Sequence, residues 1–291
     1  MEQLVTYIRR RGRPYKGLLL PVWLQVQRTW LWQRLMEGLA ARRPARTRHV
    51  FCVGLPKTGT HSLAAMVQCR SAHEPETHTL AHLYTEALRG QMTRAEQVAV
   101  LRARDALWWL DLEANWLFGL VIEALFEAFP DAKFILTTRD PVSWIESQIN
   151  EEHAYRRTEP YRSVERHMYG GGPYTPEDAR LKQEGFHPLR GYLSYWVDHN
   201  RRVLDTIPPD QLLVVPVEEL SARLDEVAAF VGAPVVPQRS HRYKRSNKAF
   251  QINDLVDPAY LAREVEQYTQ SMAARLQAQC LSIPSSAPRR S

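Results

Sequence analysis

The stretch Gly54-Leu55-Pro56-Lys57-Thr58-Gly59-Thr60-His61-Ser62-Leu63 constrains this chain more than any other. A short apolar run, His49 to Val53, precedes it and an apolar-periodic run begins at Leu63, which predicts a strand, a tight glycine-containing loop and the start of a helix. Glycines at 54 and 59 let the backbone turn sharply and approach a ligand closely, while the N–H groups of the first helical turn have no partner inside the helix. Such a loop suits a phosphate. Lys57 adds a mobile positive charge, and Thr58, Thr60 and Ser62 add hydroxyls, so a tetrahedral oxyanion would meet backbone and side-chain donors together.

Further along, Lys133 to Thr138 is a short β-prone run that ends in Arg139-Asp140-Pro141. Asp140 can cap a helix that begins at Pro141, with Val142, Ile145 and Ile149 on one face and Ser143 and Ser147 on another. Leu212 to Val215 is the next strand candidate. Helices are expected after Thr93, after Asn115 up to Pro130, from Leu189 to about Leu204, from Val217 to Val231 with Gly232 closing it, and from Pro258 to about Leu276. Strands alternating with helices indicate an α/β fold, a mostly parallel central sheet flanked by helices, in which ligands lie beyond the carboxyl ends of the strands. The 54–62 loop and Arg139 both follow strand candidates directly. Residues 151–187 lack clear periodicity and read as a long functional loop or lid. Tyr155, Arg156, Tyr161, Tyr169, Tyr174, His153 and His167 in it suit a sugar or aromatic ring.

The ATPase form of a phosphate loop places Lys and then Ser/Thr directly after the second glycine, where the hydroxyl holds magnesium. Here Lys57 comes two residues before Gly59. The order Pro-Lys-Thr-Gly-Thr, followed some 80 residues later by Arg139 at a strand end and Ser147 eight residues on, resembles the sulfotransferases that use 3′-phosphoadenosine 5′-phosphosulfate (PAPS). The resemblance implies a P-loop-like sulfotransferase fold over residues 48–281. It makes Lys57, Thr58, Gly59, Thr60, His61 and Ser62 the 5′-phosphosulfate loop, and Arg139 with Ser147 the holders of the 3′-phosphate. It also implies 3′-phosphoadenosine 5′-phosphate as product and no required metal. Lys57 takes the place of the cation at the bridging oxygen. Glu76 stands where several members carry their glutamate base, with Glu74 and His78 behind it. Asp111 and Glu113 are further carboxylates that capping of the Asn115 helix explains more simply. The late basic segment His241 to Lys248 departs from the Arg-Lys-Gly motif of the cytosolic members. The expected acceptor is a hydroxyl on a small molecule, glycan or lipid. Two rivals stand beside this: a kinase-like, nucleotide-dependent phosphotransferase, and a non-catalytic protein of the same fold that binds a nucleotide or a membrane surface.

Charge is unevenly placed. Residues 1–48 carry eleven Lys and Arg against two acids, so the formal net charge of +6 belongs to the N-terminal arm (residues 1–47) and the rest of the chain is net acidic. No nucleic acid partner is therefore expected. The arm mixes arginines with Trp23, Trp30, Leu31 and Leu35, a composition for packing on the enzyme's own body, for homodimer contact or for a membrane surface. Cys52, Cys69 and Cys280 have neither disulfide-framework nor zinc spacing, and no 18-residue apolar window or secretory leader appears. These features read as a cytoplasmic protein, peripheral at a membrane if the arm engages one. The Ser/Pro/Arg-rich tail, residues 282–291, reads as disordered.

Overall fold

The computed structural model describes residues 25–155, 161–236 and 249–281. The arm before residue 25, Arg156, the basic segment His241 to Lys248 and the tail after Leu281 lie outside the described residues. The sheet consists of β1 (Val50–Cys52), β2 (Ser71–His73), β3 (Leu112–Ala114), β4 (Lys133–Thr138) and β5 (Leu212–Pro216). Every pairing is parallel, in the order β2-β3-β1-β4-β5. The helices are α1 (Trp30–Ala41), α2 (Thr60–Met66), α3 (Thr77–Leu88), α4 (Arg94–Trp108), α5 (Ile122–Ala128), α6 (Pro141–Ala154), α7 (Tyr161–Tyr169), α8 (Ala179–Glu184), α9 (Leu189–Thr206), α10 (Leu224–Val231), α11 (Ile252–Leu255) and α12 (Pro258–Leu281).

Side chains on a strand alternate between faces, and this sheet is buried on both. Phe51, Val53, Phe134, Leu136, Leu212 and Val214 join one core with α5, α6, α9 and α12. Val50, Cys52, Ile135, Leu213 and Val215 join the other with Leu63 and Met66 of α2 and Val227 and Phe230 of α10. The chain runs from β1 to β2 and β3 on one side and then crosses to β4 on the other. Central β1 therefore lies at the topological switch point, the position beyond whose strand ends open α/β sheets bind ligands.

Strands β2 and β3 were not among the expected elements. The segment beginning at Ser71 reads as a polar, proline-broken connection, yet Ser71–His73 pairs with β3. Glu113, read above as a helix-capping residue, lies within β3 and is buried, with both carboxylate oxygens accepting from the Arg104 guanidinium at 2.7 and 2.6 Å. That partner is what lets a glutamate occupy an interior strand. Asp111 is likewise no helix cap: it receives Nε and Nη2 of Arg70 at 3.0 and 2.7 Å. Residues 151–187, read as a long loop, contain the end of α6 and the helices α7 and α8. Val164 and Met168, four apart and both buried, are the periodic signal inside a stretch otherwise dominated by polar side chains.

Helix α1 packs Trp32, Met36 and Leu39 against Ala103, Ala106 and Leu107 of α4. Its other side turns Trp30, Leu31 and Leu35 to solvent. Among the described residues, no helix is long and apolar enough to cross a membrane.

Candidate active site

The loop between β1 and α2 is shaped by two glycines and one strained lysine. A β-carbon on Gly54 would stand 2.0 Å from Thr137 Oγ1 and 2.6 Å from the Thr137 carbonyl oxygen, so only glycine lets β1 lie this close to β4 at its exit. Gly59 adopts φ 89°, the left-handed region that favours glycine, and caps α2 without offering a side chain to it. The N–H groups of the first turn of α2 thus have no side-chain cap at the mouth of the loop. Lys57 also lies at positive φ, 66°, which costs an L-residue about 1–2 kcal/mol.

Other contacts hold this shape. Thr58 is fully buried, and its hydroxyl donates to the Leu55 carbonyl at 2.6 Å while meeting Thr137 Oγ1 at 2.8 Å. That hydroxyl is spent on holding the loop to itself and to β4. Trp144 Nε1 of α6 donates to the Pro56 carbonyl at 2.8 Å. Thr60 Oγ1 meets Nε2 of His73, the last residue of β2, at 3.1 Å, and the His61 and His73 rings pack edge to face at 4.9 Å. Burial pushes the His73 imidazole down to about 4, and the neighbouring His61 acts in the same direction.

Helix α6 supplies the second wall. Asp140 caps it as expected, accepting from the Ser143 N–H at 2.9 Å. Arg139 donates through Nε to Ser143 Oγ at 3.1 Å and through Nη1 to the Lys57 carbonyl at 3.2 Å. The sequence-derived arginine and lysine are therefore in direct contact across the strand ends. Ser147 follows Ser143 by one turn, and Glu151 follows Ser147 by another, all on one strip of the helix. Glu151 Oε2 holds Lys57 Nζ at 2.9 Å. A cavity of about 600 Å³ opens beside Arg139 toward Trp196, Pro216 and Leu276, but no residue of the 54–62 loop lines it.

The base candidates differ in what they touch. Glu76, at positive φ before α3, accepts from Gln27 Nε2 at 2.8 Å and Trp108 Nε1 at 3.0 Å, with Arg104 Nε at 3.9 Å. Both of its oxygens are engaged by the arm and by α4. Glu74 is nearer the loop: its carboxylate lies 3.4 Å from Nε2 of His73, which in turn contacts Thr60. His78 meets Tyr161 of α7 edge to face, with ring centroids 5.0 Å apart.

Sequence reasoning did not single out Glu151, Thr137, Asn115 or His199. Asn115, fully buried beyond β3, has an Nδ2 with no hydrogen-bond partner. His199 of α9 is buried beneath the loop's entrance, against Gly119, with Nε2 at 2.9 Å from the Val53 carbonyl. A carbonyl can only accept, so Nε2 carries a proton. Burial pushes this imidazole down to about 3. A neutral folded-state histidine contributes stability that is complete above the unfolded pKa of about 6.5 and is lost as pH falls toward the folded value. Urea unfolding at pH 7 and pH 5 is expected to show a loss of about 2 kcal/mol from His199 alone. His199→Gln should remove that share of the pH dependence, and an unchanged slope would refute the assignment.

These features define a parallel α/β protein with a glycine-containing loop at the switch point of its sheet and an arginine that follows the next strand and bonds to that loop. The family model described as "Sulfotransferase domain" matches residues 49–252, and the chain belongs to the sulfotransferase family. No curated protein matches the chain. Among solved structures, it is similar to a sulfotransferase from Alicyclobacillus acidocaldarius, at 20% identity and a TM-score of 0.44, covering 81% of this chain and 96% of that one. It is also similar to the sulfotransferase domain of the Synechococcus PCC 7002 olefin synthase, at 16% identity and a TM-score of 0.38, covering 84% and 95% of the two chains. A third likeness is to the sulfotransferase domain of the curacin biosynthetic pathway, at 14% identity and a TM-score of 0.40, covering 80% and 99%.

Proposed function

We propose that this sulfotransferase uses PAPS as donor and moves its sulfuryl group to a hydroxyl of a small-molecule, glycan or lipid acceptor by in-line displacement. The observation that carries this reading is the contact of Arg139 with Lys57 across a loop that only glycine at 54 permits. The residues present fit a nucleotide with anions at both ends. The backbone N–H groups of the loop and the side chains of Lys57, Thr60, His61 and Ser62 would hold the 5′-phosphosulfate. Arg139 and Ser147 would hold the 3′-phosphate, for which a planar guanidinium and a hydroxyl are apt.

The donor supplies an activated sulfuryl group. Lys57 puts its ammonium at the oxygen that leaves, where negative charge develops. Glu74 takes the proton of the acceptor hydroxyl. We assign this role to Glu74 ahead of Glu76 and His78 because it reaches the loop through His73 and Thr60, whereas the Glu76 carboxylate is tied to Gln27 and Trp108. The kinase-like alternative finds less support, since Gly59 is followed by Thr60 and His61 rather than by a lysine and a metal-holding hydroxyl.

Calorimetric titration with 3′-phosphoadenosine 5′-phosphate, without magnesium, tests the donor site. Binding near the micromolar range, about −8 kcal/mol, is expected, weakened tenfold or more by Arg139→Ala and unchanged by Glu74→Gln. A folded wild type that ignores this nucleotide but takes up ATP with magnesium would replace the reading with the kinase-like one.

A further inference from the structure

We propose that Glu151 is a positioning residue for Lys57: it holds the loop's ammonium while the site is free of anions and yields it when the anionic donor enters. This rests on the donor reading above. Glu151 and Lys57 lie 94 positions apart in sequence and meet at 2.9 Å, with side chains 23% and 27% exposed. The pair is therefore neither fully screened by solvent nor locked in the core. The Lys57 backbone is fixed separately, at φ 66° and by the bond from Arg139 to its carbonyl. Its side chain is the part left to swing.

The strip of α6 that faces the loop changes character along its length. Near the start, Arg139 brings a guanidinium, which Ser143 Oγ helps to hold, and Ser147 adds a hydroxyl one turn on. The far end presents a carboxylate. Glu152, the next residue, is turned away to the Tyr192 hydroxyl at 2.8 Å and to Gln148, so Glu151 alone of these two acids meets the loop. A polyanion entering the loop is attracted along the first part of the strip. At its end it meets a like charge that already occupies the one ammonium it needs. The carboxylate works against affinity in two ways: it repels the donor and it competes with the donor for Lys57. What it provides in return is a defined resting place for a flexible side chain beside the point where charge will develop.

The sign of this effect separates it from a structural role. A residue that merely braced the loop would, when removed, weaken nucleotide binding. Glu151→Gln and Glu151→Ala are instead expected to bind 3′-phosphoadenosine 5′-phosphate about three- to tenfold more tightly than wild type, the range for losing a partly exposed ion pair and a repulsive charge. In a Lys57→Met background the gain from Glu151→Gln should shrink to under about twofold, since the competition is then gone. Thermal melts establish that each variant is folded, and two substitutions at 151 guard against one that is not. Equal or weaker binding by both folded variants would overturn the proposal while leaving the donor site intact. A gain that persists in full without Lys57 would overturn it too, by reducing Glu151 to a repulsive charge. Failure of the folded wild type to bind the nucleotide at all would instead overturn the donor reading.

Discussion

Alanine at position 57 is expected to slow sulfuryl transfer by about 10²–10³-fold, the cost of removing one well-placed donor from a charge that forms in the transition state. The leaving oxygen becomes part of a phosphate as its bond to sulfur breaks, and a cation at that oxygen stabilises the transition state more than the bound donor. Lys57 is the cation on the loop itself, whereas Arg139, bonded to the Lys57 carbonyl and to Ser143, is assigned to the 3′-phosphate. Stability should hardly change. The lysine side chain is about a quarter exposed, its ion pair with Glu151 is worth at most about 1 kcal/mol, and the melting temperature should move by no more than about 4 °C. Lys57→Arg restores the charge but not the compact ammonium, and should recover no more than about tenfold of the lost rate. Initial rates of 3′-phosphoadenosine 5′-phosphate formation, at saturating donor with an acceptor that the wild type turns over, provide the measurement. A Lys57→Ala rate within threefold of wild type would remove this residue from the leaving oxygen.

The parts of the site legible in sequence are those whose signals are local. Glycine at 54 and 59, a lysine between them and a flanking apolar run state a strand, a loop and a helix within fifteen residues. Asp140-Pro141 after a β-prone run states a capped helix just as locally, and both were found in place. The parts that stayed hidden depend on partners far away in the chain. β2 and β3 are three residues long, too short for alternation to show, and carry a polar His73 at the edge and a buried Glu113 that its interior strand tolerates because Arg104 meets it. Glu151 reads as one more surface acid of a helix until Lys57 is folded against it. His199 reads as a residue of a long amphipathic helix until the Val53 carbonyl, 146 positions earlier, is brought to its ring. Spacing along the chain cannot report such pairs; only the crossover between strands does.

Gly54→Ala is expected to weaken nucleotide binding by at least about 100-fold and to cost about 2–3 kcal/mol of stability, although it adds a single methyl group. Gly54 does not lie at positive φ, so backbone strain is not the cause. The cause is room. The added carbon would fall 2.0 Å from Thr137 Oγ1, 2.6 Å from the Thr137 carbonyl oxygen and 2.7 Å from Thr58 Oγ1. None of these neighbours can move cheaply. Thr58 is bound to the Leu55 carbonyl, β1 and β4 pair through Cys52 and Ile135, and the Val53 carbonyl is anchored by His199. Relief must therefore come from the loop itself, by turning Leu55 to Gly59 out of the shape that brings Lys57 to Arg139. Thr137→Ala should not rescue the variant, because the carbonyl oxygen at 2.6 Å remains after the hydroxyl is gone. Gly38 in α1 is the control: a β-carbon there meets nothing within 4 Å, and Gly38→Ala should be neutral or stabilise by up to about 1 kcal/mol through helix propensity. Urea melts with and without 3′-phosphoadenosine 5′-phosphate read both effects at once, since a ligand that binds only the folded protein raises the midpoint. If Gly54→Ala kept the nucleotide-induced rise of the wild type, the anion would have to be held somewhere other than this loop.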